Sequence, residues 1–124
     1  MLKNALFVAL GGGLGSALRY LIATGIHKYN PAFYPYGTFA VNIAGCFLIG
    51  LLMGAVKAEK LIQPDLQLLL IAGFCGGFTT FSTFAFEGQD LLNQGKAFGV
   101  ILYTGLSVVV GLALAYFGYR LSQP

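Results

Sequence analysis

Four long apolar runs constrain this chain more than any other feature. They cover about residues 2–26, 37–56, 66–86 and 97–119, with short polar breaks between them. Each run approaches or exceeds the ~20 residues that an α-helix needs to cross a bilayer. The breaks hold the punctuation of membrane loops: His27, Lys28, Tyr29, Asn30, Pro31 and Pro35, then Lys57 to Asp65 with Pro64, then Glu87, Asp90 and Lys96. Arg120 closes the fourth run. Charged residues make up only 9% of the chain, against about 25% in a typical soluble domain. So few charges cannot clothe a water-facing surface, so the apolar residues face lipid. A membrane β-barrel needs alternating strands of ~10 residues, and no such alternation is present. The expected fold is therefore an all-α integral membrane protein, one four-helix domain over residues 1–124. The first run is not a signal peptide, because it continues through a glycine cluster toward Ile26 and is too long for an h-region.

Several function classes fall away. Lys3, Arg19, Lys28, Lys57, Lys60, Lys96 and Arg120 are scattered and form no basic cluster for nucleic acid. Cys46 and Cys75 lie in separate apolar runs without metal-ligand spacing and read as packing residues. The lone His27 sits in a loop, and no nucleophile–base pair points to an enzyme. The cluster Gly11, Gly12, Gly13 and Gly15 lacks the preceding strand and the Lys-Ser/Thr end of a phosphate loop. Small residues four apart, such as Gly50 and Gly54, Gly73 and Gly77, or Ser107, Gly111 and Ala115, instead let helix backbones approach closely in lipid. Four spans put both termini on one side. That side receives Lys3, Lys57, Lys60 and Arg120; the other receives Lys28 and Lys96, plus Arg19 if it reaches that end. Four against two or three is a weak positive-inside signal and permits insertion in both orientations.

The third run carries the chemistry. It reads Gly73-Phe74-Cys75-Gly76-Gly77-Phe78-Thr79-Thr80-Phe81-Ser82-Thr83-Phe84. Paired glycines followed by two β-branched threonines make a poor helix interior and predict a break. Broken backbone at membrane depth is tolerated inside protein or along a wet cavity, where it can handle ions. Asn42 in the second run is costly in hydrocarbon unless paired or hydrated. Tyr103 and Ser107 share one face of the fourth helix, and Phe81 and Phe84 share another. Arg19 is the one charge well inside a run and can snorkel if it lies toward its helix end. No carboxylate is expected mid-span, since Glu87 lies just past the third run. A neutral lining of amide, hydroxyls and electropositive phenyl edges suits a small anion and holds it loosely enough to let it leave.

These residues resemble the fluoride channel family, known as Fluc or CrcB, over essentially the whole chain. The resemblance rests on Gly12 through Arg19-Tyr20, on Gly37-Thr38, Val41-Asn42, Gly45 and Gly50, and above all on Gly73 through Phe84. Some members carry a second hydroxyl one turn beyond Ser107, where this chain has Gly111. The resemblance implies an antiparallel, dual-topology homodimer with two pores. It implies that Asn42, Phe81 and Phe84 line a fluoride path, and that Ser82, Thr83, Tyr103 and Ser107 add polar contacts. It further implies a structural sodium ion at the dimer centre, held by the main-chain carbonyls of Gly76 and Thr79. Arg19 and Glu87 would act electrostatically near the pore entrance. The implied activity is passive, fluoride-selective export across a prokaryotic plasma or inner membrane, relieving toxicity. Two other readings fit four short spans. A small proton-coupled multidrug exporter needs a membrane carboxylate, and the first two runs have none. A non-transporting assembly subunit leaves the clustered hydroxyls unexplained.

Overall fold

The computed structural model describes residues 1–29 and 35–124; Asn30 and Pro31 of the first break lie outside them. The described residues are helical and contain no strand. Helix α1 is Leu2–Tyr29 and α2 is Tyr36–Lys57. The third apolar segment, Pro64–Asn93, divides into α3 (residues 64–78) and α4 (Phe81–Asn93). Helix α5 is Ala97–Ser122. Four segments are thus long and apolar enough to cross a membrane.

The helix ends follow local rules. Pro64 occupies the first turn of α3, where its missing N–H costs nothing. Helix α2 ends through Glu59, which takes a left-handed φ of 60° so that Lys60 N–H reaches back to the Ala55 carbonyl at 2.8 Å. The helices outrun the apolar runs, most of all at the third, where α4 continues seven residues past Phe86 to Asn93. Its polar residues occupy part of the helix surface while Leu91 is buried, so a hydropathy limit cuts the helix short. Glu87 is therefore not in a loop. It lies inside α4 and is only 9% exposed, so the span does hold a carboxyl.

Bare backbone surfaces set the packing. A Cβ on Gly11 or Gly15 would overlap the α3 carbonyl of Leu69 or Phe74, and one on Gly77 would overlap the Gly12 carbonyl. Glycine is what allows α1 and α3 to cross at this distance. On the other pair, Gly50 of α2 meets Ala115 of α5, and Gly118 of α5 meets Phe47. The N-terminal glycine cluster is a helix-crossing surface. Leu6, Leu10, Leu14 and Leu21 stay exposed on α1, as lipid contact requires.

Candidate functional site

The site is built where the third segment breaks. Gly76 and Gly77 remain helical; the two threonines leave the helix, with Thr79 at φ −88°, ψ 157° and Thr80 at φ −149°, ψ 123°. An interrupted helix strands backbone donors and acceptors, and side chains from α1, from α2 and from the break itself satisfy them here. Thr79 Oγ1 donates to the Cys75 carbonyl at 2.9 Å. The Gly77 carbonyl accepts from Ser16 Oγ at 3.3 Å and from Arg19 Nε at 3.0 Å. Asn42 brackets Thr80: its Oδ1 accepts from Thr80 N–H at 2.8 Å and its Nδ2 donates to the Thr80 carbonyl at 3.1 Å. Thr80 then caps α4, its Oγ1 accepting from Thr83 N–H at 3.2 Å.

Arg19 is therefore not snorkelling from a helix end. It lies ten residues before the end of α1 and sets its guanidinium on the negative end of α3. With Arg19 removed from the loop count, flanking Lys and Arg stand at four (Lys3, Lys57, Lys60, Arg120) against two (Lys28, Lys96).

An open cavity of about 590 Å³ lies against the break. Its wall includes Asn42 and Cys46 of α2, Gly76 and Thr79, Phe81 and Phe84 of α4, and Ser107 of α5. Six of the sequence candidates thus share one wall. Phe81 projects outward at 79% exposure, its ring 5.7 Å from that of Phe84. Phe84 packs on Tyr103 at 4.9 Å, and the Tyr103 hydroxyl donates to Glu87 Oε1 at 3.0 Å. Tyr103 and Glu87 form a buried pair behind the phenyl rings and are not on the cavity wall. Ser82 and Thr83 stand at the capped start of α4, also off the wall, within 3.3 Å and 3.2 Å of Thr80 Oγ1. Ser107 Oγ is a buried hydroxyl without a hydrogen-bond partner, the one such side-chain atom among the described residues. The wall carries hydrogen-bonding groups and phenyl rings but no charge.

Two contributors were missed in the sequence. Thr80 stood inside the motif without a role, although a threonine just before a restarting helix is a cap signal. An apolar run without metal-ligand spacing gives Cys46 a packing role only. Its place four residues after Asn42, on the same helix face, was the available sign that it shares the wall. Cys75 is buried, at 2% exposure, whereas Cys46 is half-buried.

Residues 6–119 match the family described as CrcB-like protein, Camphor Resistance (CrcB). The chain belongs to the CrcB family. Among CrcB-like relatives, a Flavobacterium psychrophilum protein named fluoride-specific ion channel FluC is 46% identical over 122 residues, 98% of each chain. A Rhodococcus jostii protein named fluoride-specific ion channel FluC 2 is 45% identical over 120 residues, 97% of this chain and 99% of that one. A Chlorobium luteolum protein named fluoride-specific ion channel FluC is 43% identical over 121 residues, 98% of this chain and 93% of that one.

Proposed function

We propose that this chain is a fluoride-selective channel, a multi-pass protein of a prokaryotic plasma or inner membrane, and not an enzyme. It lets cytoplasmic fluoride leave down its gradient. The observation that carries the reading is the uncharged, donor-bearing wall at a helix break inside a membrane-spanning segment. The relatives' shared name supports the ion.

Fluoride is small and strongly hydrated, so a path must replace its water with donors at close range. Ser107 Oγ–H has no other partner. The Asn42 amide has a second N–H beyond the one given to Thr80. The edges of Phe81 and Phe84 are electropositive. The start of α4 adds partial positive charge from its first N–H groups, with the Ser82 and Thr83 hydroxyls beside it. Tyr103 and Glu87 act from behind, fixing Phe84. None of these groups is a fixed cation on the path, so the anion is not trapped. Chloride, larger and a weaker acceptor, is disfavoured by a narrow path of this kind.

The working unit in this proposal is an antiparallel, dual-topology homodimer with two pores. The cavity of one chain is open, and Phe81 stands largely unpacked beside it. A second copy would close the first and take up the second. The orientation bias is only two charges. A structural sodium ion at the centre fits the donors present. Gly76 and Thr79 lie at the end of α3, where carbonyls lack following helical N–H groups. A Cβ added at Gly76 would meet no atom within 4 Å, so that approach is clear. Carbonyls at the end of a broken helix suit such an ion, whose positive charge would hold the two breaks together.

The test is efflux from liposomes loaded with equal fluoride and chloride. Rapid fluoride release with chloride retained supports the reading. Release of both anions alike, or of neither, overturns it.

A further inference from the structure

Cys46 is placed where packing alone does not require a thiol. It lies one helical turn past Asn42 on the same face of α2 and lines the same open cavity. Its sulfur covers Gly111 of α5: a Cβ built on Gly111 would stand 3.2 Å from Cys46 Sγ. Ser107, one turn before Gly111, also lines that cavity, and its buried hydroxyl lacks a partner. An unsatisfied hydroxyl in a span is costly unless a transient ligand or water meets it. It therefore marks this stretch, between α2 and α5, as one that a polar species visits. The thiol faces that stretch.

We propose that Cys46 is a modification site within the fluoride path, open to small neutral thiol-reactive electrophiles, and that a group added there closes the path. The proposal rests on the fluoride reading above. The chemistry needs no outside oxidant when the reagent is an alkyl methanethiosulfonate. The Cys46 sulfur attacks the sulfenyl sulfur of the reagent, a new S–S bond forms and the S–SO2 bond breaks. The sulfinate leaves with the electron pair, and the thiol proton goes to cavity water. The product carries a methylthio group beside Gly111, one helical turn beyond Asn42 and Ser107. Cys75 borders the same cavity but is only 2% exposed, against the half-buried Cys46, so it reacts more slowly. The chain thus contains its own control thiol.

The experiment treats the full-length protein in liposomes with methyl methanethiosulfonate and reads fluoride efflux and intact mass together. Untreated efflux tests the fluoride reading itself, so its failure is seen before any reagent is added. With efflux established, the expected result is one methylthio group, mapped to Cys46 by peptide mass. Flux should then fall by about tenfold or more, since a narrow path tolerates no added group on its wall. Dithiothreitol should restore it. Cys75→Ala protein should respond in the same way, and Cys46→Ala and Cys46→Ser proteins, each compared with its own untreated rate, should not respond. Three outcomes overturn the proposal: Cys46 stays unmodified, Cys46 is modified while flux holds, or inhibition persists in both Cys46 variants.

Discussion

Replacing Asn42 by alanine tests how the broken helix is held. The side chain makes two hydrogen bonds to one residue, at 2.8 Å to Thr80 N–H and 3.1 Å to its carbonyl. Thr80 is extended, so its N–H has no helical partner, while its carbonyl, at the N-cap, also takes the first helical bond of α4. Each lost bond removes about 1 kcal/mol net, and the stranded Thr80 N–H adds about 1–3 kcal/mol. The cavity lets water reach part of this site, so the combined cost is about 2–3 kcal/mol. At roughly 1.4 kcal/mol per tenfold, the braced break loses about 30- to 140-fold in population against competing arrangements. Fluoride efflux per folded channel in liposomes should drop about tenfold or more once the braced state is no longer dominant. The apparent melting midpoint in detergent should drop with it. Asn42→Asp sharpens the test. It keeps an acceptor for Thr80 N–H but turns a second carboxylate oxygen toward the Thr80 carbonyl, so it should be no better than alanine. Normal efflux and melting in Asn42→Ala would refute the brace.

Other substitutions separate structural from conducting roles. Thr80→Ala removes the α4 cap and should cost about 1 kcal/mol of stability, while Thr80→Ser retains most of it; detergent melting compares them. Gly77→Ala drives a Cβ into the Gly12 carbonyl and should abolish folded protein on size-exclusion chromatography. Gly76→Ala meets nothing within its own chain; a loss of dimer mass or of sodium-dependent stability there would place a partner chain at that face, and unchanged values would remove Gly76 from the dimer centre. Glu59→Gly relieves a left-handed φ of 60° and should raise stability by about 0.5–1 kcal/mol, read by the same melting assay.

The four helices were legible because nothing but lipid suits such continuous apolar runs. Their ends were less so. Hydropathy stops at Phe86, whereas the hydrogen-bond ladder stops at Asn93, so hydropathy alone places Glu87 and Asp90 in a loop. The sequence points to a break in this segment, but the glycines and the threonines do not share it equally. The two glycines stay helical, held against α1, and the β-branched threonines depart. The π-helical winding of Leu68–Cys75 had no signature at all. It changes which carbonyl each N–H meets and leaves an all-apolar stretch just as apolar. Arg19 shows the limit most clearly. Its cost in a span was visible from position alone, but its partner is a backbone carbonyl 58 residues away, and any residue type supplies a carbonyl.

One break gives the membrane interior two ends of opposite polarity. The end of α3 presents carbonyls and partial negative charge, and Arg19 and Ser16 neutralise it at Gly77 on the α1 side. The start of α4 presents N–H groups and partial positive charge, capped by Thr80 and flanked by Phe81 and Phe84. A cation suits the first end and an anion the second, without an ionised side chain on the cavity wall. A fixed arginine beside the path would bind fluoride more tightly but slow its departure, because conduction needs sites weak enough to leave. Spending the only mid-span cation on the carbonyl end leaves the anion end to dipoles and hydroxyls, whose attraction acts over about one helical turn. In the proposed channel, that division lets so short a chain replace the water of a strongly hydrated ion and still release it.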